Sequence, residues 1–457
     1  MGGELRVPDC DQPTPPFSST MTVAARQHEL PIFARPPRTW TQTLNSIFFF
    51  MLFIPGCFMV HGFQLLILLP LKLFSSSPRA WKLYDEGIRY TKGAFATLMN
   101  LMNQWFAPTR LSITFERVGP GKFTEEEITH IVERDASGKV VALHLPSKTV
   151  VIANHQVYSD WWYVWCLTYF MGTHKDVFIV LKNSLKWVPL IGPAMQIFRF
   201  IFLARSWASD RIQLSSKLAK LGRQAEQEDK PFTFILFPEG TLVSKDTRPI
   251  SRKYADKLGV PDPLNILLPR STGLHYSLRS LAPRLPSLKL IDITMVYPGT
   301  FMYTPVFRYP SLLPLGIPPK GYGQSFYTLR SIFCDRVPPP IVHMHLRMFD
   351  VAKDVPIGDI SGTNPAVTPN GSIHEPVEVD FPDQEKTVFD EWLRQLWMDK
   401  DDFITTFHRS DCFPSGHRGA VEIPLELGSK REIPGAFCFL TPVAAYVLWS
   451  KLAQALL

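Results

Sequence analysis

The sequence predicts an α/β fold, a largely parallel or mixed sheet flanked by helices, preceded by an N-terminal membrane helix or hairpin. Three observations predict it. From about residue 149, short apolar runs (TVVIA, DVFIVL, FRFIFLA, FTFILF, IDITMVY) alternate with helical stretches, the pattern of strands joined by crossover helices. Residues 46–71 carry no Asp, Glu, Lys or Arg over a length that spans a bilayer core. A chain of 457 residues, 46% of them apolar, can bury a core without disulfides or metals.

Taken in order, residues 1–40 are rich in Pro and Ser and read as a disordered tail. They are not a secretory signal, because the apolar run comes too late and no cleavage site follows it. Residues 41–110 form a membrane-anchoring helical segment. Pro55-Gly56 falls mid-run and either kinks one span or turns two half-length segments into a hairpin. Cations flank the run on both sides, and the stretch 84–110 is an amphipathic helix ending at Pro108. The α/β domain itself occupies 111–354. Within it, Leu214, Leu218, Leu221 and Ala225 make one helical stripe over 209–228, with Ser209 or Asp210 as the cap. The run IVHMHLRMF (341–349) reads as a half-exposed edge strand whose His343 and His345 share a face without a third metal ligand. Residues 355–380 are a Pro/Gly/Asn linker containing the sequon Asn370-Gly-Ser. Residues 381–410 form a helix that packs on the domain through Phe389, Leu393, Leu396, Trp397, Ile404 and Phe407. The final segment, 411–457, ends in an apolar stretch interrupted by Pro442 that is either a second membrane segment or a surface helix.

The net charge of +7 suits an anionic lipid surface or anionic small molecules. Nucleic acid is excluded as a partner, since the chain has no arginine run, zinc spacing or aromatic-basic motif. The six cysteines (10, 57, 166, 334, 412, 438) form no CxxC pair and read as free thiols in a reducing compartment.

Four short blocks carry the chemistry. The first, Asn154-His155-Gln-Val-Tyr-Ser-Asp160, follows the strand TVVIA. If the turn folds back, the Asp fixes one imidazole nitrogen and frees the other to take a proton. That is a catalytic triad without an enzyme nucleophile, whose place a substrate hydroxyl fills. On its own, this spacing fits a His and a capping Asp at a helix start better than a catalytic pair. The second block, Phe202-Leu-Ala-Arg205, closes a strand on which Arg199, Ile201, Leu203 and Arg205 line one side. An arginine at a strand end grips a phosphate through paired hydrogen bonds, or serves an ordinary ion pair. In the third, Phe237-Pro238-Glu239-Gly240-Thr241, Pro and Gly set a turn that aims Glu239 and nearby amides into a cleft. The fourth, Leu268-Pro269-Arg270-Ser271-Thr272-Gly273, either lines a pocket or turns the chain.

Together, in this order over about 120 residues, the blocks resemble those of the glycerophospholipid acyltransferase superfamily: NHxxxxD or HHxxxxD, a strand ending in Arg, (F/V)PEG(T/S), and a proline-bearing fourth block. The stretches NHQVYSDWW, LKNSLKWVPLIGPAMQIFRFIFLAR, LLPRSTGL and DITMVYPG look like the lysocardiolipin/lysophosphatidylinositol branch of the 1-acylglycerol-3-phosphate acyltransferases. The resemblance implies a glycerol-3-phosphate acyltransferase-like fold, His155 as general base with Asp160 as its partner, and Arg205 on the acceptor phosphate. It further implies that Glu239, Gly240 and Thr241 help bind the acceptor, that Pro269 belongs to the fourth block, and that Lys182 faces phosphate.

The implied reaction moves an acyl chain from acyl-CoA, a co-substrate rather than a cofactor, to the free hydroxyl of a lysophospholipid, with no metal and no acyl-enzyme. The partners are acyl-CoA, the lysophospholipid and the bilayer. The endoplasmic reticulum is favoured over the mitochondrial membrane, because no Arg/Ser-rich presequence is present. The rival readings are a transacylase that takes its acyl chain from another phospholipid, and a lipid-binding protein without turnover. A serine hydrolase is excluded by the lack of a GxSxG elbow.

Overall fold

The computed structural model describes residues 27–75, 77–189, 191–204, 207–300, 321–361, 366–367, 373–374, 382–414 and 419–438. Helix α1 (Trp40–Phe63) opens on a capping box in which Thr39 and Gln42 each accept the other's amide. It continues past Pro55 and, by a π-helical turn over 64–68, into α2 (Leu69–Phe74). One 35-residue apolar helix forms rather than a hairpin.

Its packing explains this. Helix α3 (Pro78–Phe106) lies along it, and a Cβ at Gly56 would stand 2.8 Å from Leu98 Cδ2, so the glycine serves close helix contact rather than a turn. The other face is open: Phe48, Met51, Phe58 and Leu66 are each more than half exposed. The second half of α3, by contrast, is buried all round from Thr91 to Asn103. Lys92 lies within that stretch, donating to the Val177 carbonyl at 2.7 Å and lying 3.8 Å from the Phe178 ring centre. Burial pushes its ammonium down to about 7.

The strands are β1 (Arg110–Phe115), β2 (Val132–Arg134), β3 (Val140–Leu143), β4 (Lys148–Ala153), β5 (Val177–Lys182), β6 (Ile201–Leu203), β7 (Phe232–Leu236), β8 (Lys289–Val296), β9 (Ile341–Asp350), β10 (Ala366–Val367), β11 (Ile373–His374) and β12 (Val421–Pro424). The remaining α-helices among the described residues are α4 (Glu125–Ile131), α5 (Asp160–Phe170), α6 (Ile191–Ile197), α7 (Trp207–Gln227), α8 (Arg248–Leu258), α9 (Ser271–Leu281), α10 (Asp383–Ser410) and the single turn α11 (Ile433–Ala436). Eight strands form one mixed sheet in the order β12-β1-β9-β8-β4-β7-β5-β6. Strands β4 to β8 are mutually parallel, β9 runs antiparallel to β8, and β12 antiparallel to β1. The predicted fold class is the one observed.

Three local expectations change. The strand read over FRFIFLA shortens to β6, because Arg199 sits at φ 62° and pairs with Asp85 of α3 at the opposite end of the strand from Arg205. Helix α7 begins at Trp207, ahead of Ser209 and Asp210, and Asp210 accepts the Ala204 amide at 3.1 Å from within its first turn. Strand β9 is interior, between β1 and β8, rather than an edge; buried His345 meets Thr114 at 2.9 Å and Glu116 at 3.2 Å. No cluster among the described residues would hold a metal.

The six apolar residues read on α10 are all buried. Beside them Lys400, fully buried, bridges Asp292 of β8 at 2.8 Å, and Arg347 of β9 reaches the same carboxylate at 2.8 Å. Ahead of α10, Val355 and Ile357 are buried, and the Ile357 carbonyl accepts from His275 and Arg279 of α9. Asn370 and residues 439–457, where the sequon and most of the final apolar stretch fall, lie outside the described residues.

Candidate active site

Because β4 to β8 are parallel, their C-terminal ends share one edge of the sheet, the usual site of chemistry in such folds. Strand β4 lies between β8 and β7. The residues just past these three strands therefore converge: His155 after β4, Glu239 after β7 and Tyr297 after β8.

Asn154 is fully buried and locks β4 to β8. Its amide donates to the Met295 carbonyl at 2.9 Å and accepts the Met295 N–H at 2.7 Å. The chain then turns, and α5 starts at Asp160, fully buried. His155 Nδ1 meets Asp160 Oδ2 at 2.8 Å, and the same oxygen accepts the amides of Gln156 at 2.7 Å and Val157 at 3.0 Å. Asp160 Oδ1 accepts the Tyr297 hydroxyl at 2.5 Å. With Nδ1 engaged, His155 keeps Nε2 for other partners. Its side chain is 19% exposed, and Phe237 stacks on its ring at 4.6 Å between centres.

Glu239 is 2% exposed. Its Oε1 accepts the His155 amide at 3.0 Å and its Oε2 the Leu267 amide at 3.2 Å, so it ties the first, third and fourth blocks together. Burial pushes its carboxyl up to about 8, against the pull of the two amides. Gly240 takes φ 71°, the left-handed region that favours glycine, and its amide closes the turn onto the Phe237 carbonyl at 2.9 Å. The fourth block joins this turn where the Arg270 amide donates to the Pro238 carbonyl at 2.8 Å. Pro269 is buried, whereas Arg270 is exposed, with its side-chain Cδ 3.8 Å from where a Cβ on Gly240 would stand. Thr241 is half-buried.

The remaining predicted residues lie further along the edge. Lys182 ends β5, two strands from β4 and hence roughly 10 Å away, and is exposed. Arg205 follows β6, the outermost strand, and lies outside the described residues. The structure thus brings together His155, Asp160, Glu239, Gly240 and Pro269, and sets Lys182 apart. Sequence reasoning missed Tyr297, which looked like the end of an apolar strand; its position just past an interior strand on the C-terminal edge was the available signal.

A central parallel strand thus delivers a histidine held by a buried carboxylate to the C-terminal edge of the sheet, and among the described residues no side-chain nucleophile is bonded to it. Known proteins identify the family. A family model described as Acyltransferase matches residues 139–297. The chain is 33% identical over 358 residues to a 2-acyl-1-lysophosphatidylinositol acyltransferase of Saccharomyces cerevisiae, covering 72% of this chain and 77% of that protein. It is 31% identical over 211 residues to lysocardiolipin acyltransferase 1 of Danio rerio, 46% of this chain and 47% of that one. Against 1-acyl-sn-glycerol-3-phosphate acyltransferase 2 of Arabidopsis thaliana it is 28% identical over 304 residues, 66% and 62% of the two chains. No solved structure matches. The chain belongs to the glycerophospholipid acyltransferase superfamily, and it is an acyltransferase.

Proposed function

We propose that this protein transfers a fatty acyl chain from acyl-CoA to the free hydroxyl of a lysophospholipid at a membrane, with His155 as general base. The observation that carries the reading is the hydrogen bond of 2.8 Å from His155 Nδ1 to Asp160, which fixes the ring and leaves Nε2 to accept the hydroxyl proton. As the hydroxyl oxygen attacks the thioester carbonyl, the proton passes to Nε2. The tetrahedral intermediate then collapses, the C–S bond breaks, and the proton returns to the departing thiolate of CoA.

The acceptor is a lysophosphatidylinositol, lysocardiolipin or lysophosphatidic acid, the classes named for the relatives. Exposed cations on the same edge, Arg270 and Lys182, suit their phosphates and those of CoA, and the sequence reading adds Arg205 of the second block. The open apolar face of the 35-residue helix supports anchorage in a bilayer, in the endoplasmic reticulum by our reading.

The test is radiolabelled acyl transfer in membranes over a panel of lysophospholipids, with and without added acyl-CoA. Transfer that requires acyl-CoA supports the reading, and the preferred acceptor names the headgroup. Transfer without it makes the protein a transacylase. Binding without any transfer makes it a lipid-binding protein.

A further inference from the structure

We infer that Tyr297 is a positioning residue for this reaction, its hydroxyl orienting the Asp160 carboxylate that in turn holds His155. The inference rests on the reading of His155 as base and adds a member to the site that none of the four blocks supplies.

The two oxygens of Asp160 are served unequally. Oδ2 collects three donors from its own turn: the His155 ring and the amides of Gln156 and Val157. Oδ1 has one among the described residues, the Tyr297 hydroxyl at 2.5 Å. The local turn therefore fixes one oxygen, and a residue 137 positions away fixes the other. Without that donor the carboxylate can rotate about its Cβ–Cγ bond, sharing the His155 proton between both oxygens and loosening the imidazole from its attacking pose.

Tyr297 is built to hold that donor still. It follows β8 directly, next to β4, and is 1% exposed. Its ring packs against Tyr163 of α5 at 6.1 Å and Tyr327 at 5.8 Å between centres. Burial raises the phenol well above its ordinary value, so it remains a proton donor across the working pH range. Tyr327 supplies a natural control. It packs on the same ring, but its hydroxyl donates to the Pro298 carbonyl at 2.9 Å and touches neither His155 nor Asp160.

The experiment compares Tyr297→Phe, Tyr327→Phe and His155→Ala with wild type in the same membranes, measuring kcat, KM for both substrates and the pH profile of kcat. Removing the hydroxyl of Tyr297 leaves a buried acceptor short of its partner, so kcat falls about ten- to a hundredfold with both KM values unchanged. The acid limb of the profile moves to higher pH, because a carboxylate short of one donor holds the imidazolium more tightly. Among the described residues, the other ionisable groups set against this pair are Glu239, through the His155 amide, and Tyr163 and Tyr327, against the Tyr297 ring; none bonds a side-chain atom of the pair. A smaller fraction of folded enzyme would lower the apparent kcat but leave the limb in place. Tyr327→Phe keeps the wild-type kcat and limb. If Tyr297→Phe turns over within threefold of wild type, or loses rate with an unmoved limb, the inference falls while His155→Ala still abolishes transfer. If His155→Ala retains transfer, the base assignment itself falls.

Discussion

Replacing Asp160 by Asn tests how the site works at a single atom. The fit is good in one orientation only. With the amide oxygen in place of Oδ2, it still accepts from the His155 ring and from the amides of Gln156 and Val157, which stand at 2.8, 2.7 and 3.0 Å. The amide nitrogen then replaces Oδ1, and the Tyr297 oxygen, 2.5 Å away in the wild type, becomes the acceptor by rotating its hydroxyl. Geometry and tautomer survive, and what is lost is the negative charge facing an imidazolium as the proton arrives. Two unit charges about 4 Å apart at an effective dielectric constant of about 20 attract by about 4 kcal/mol, roughly a thousandfold in rate. The assay is steady-state acyl transfer in membranes, with thermal melting of the purified protein in detergent as the control for folding. We expect kcat to fall by roughly three orders of magnitude, with the melting temperature little changed. Activity within tenfold of wild type in a folded Asp160→Asn protein would refute the electrostatic role of the carboxylate.

Other perturbations follow from neighbouring contacts. Glu239 binds a proton in the folded state up to about pH 8, against an ordinary value of 4.5, so unfolding releases a proton between those limits. Its contribution to stability is full below pH 4.5 and is lost as pH rises to about 8. Melting curves of wild type and Glu239→Gln should show the difference in stability changing across that window and level above it. A Cβ at position 323 would stand 2.7 Å from Val157 Cγ1 and 2.8 Å from the Gln156 carbonyl, so Gly323→Ala pushes directly on the turn between His155 and Asp160. Overpacking of this kind costs about 1–3 kcal/mol, and we expect activity to fall more than stability, measured by kcat beside melting temperature. Lys400→Met leaves Asp292 facing Arg347 with one cation gone in a fully buried site, and should destabilise the fold by roughly 3–5 kcal/mol, read by denaturant unfolding in detergent.

What was legible in the sequence was local. Alternating apolar runs located five parallel strands, and the stripe from Phe389 to Phe407 marked the buried face of α10. The His155–Asp160 pair could be read because five residues suffice for a turn that closes on itself, and the Pro-Glu-Gly turn because Gly240 adopts a positive φ. What escaped depends on partners distant in the chain. Tyr297 reaches Asp160 only because β8 lies beside β4, an order that periodicity does not encode. Glu239 is buried with both oxygens on backbone amides, which spacing could not distinguish from a side chain aimed into a cleft. Arg199 looked like a strand residue until Asp85 of α3 drew it into a left-handed turn. Pro55-Gly56 suggested a turn between half-spans, yet Gly56 is the point at which α1 meets Leu98 of α3. Lys400 sits on the apolar side of its helix, and its burial makes sense only with Asp292 and the Ile293 carbonyl in place.

The most direct test of the central claim is acyl transfer from labelled acyl-CoA to lysophosphatidylinositol in membranes carrying wild type or His155→Ala at matched protein levels. The account predicts acyl-CoA-dependent product from the wild type and none above background from the variant. Product formed by the variant at a wild-type rate, or by the wild type without acyl-CoA, would contradict it.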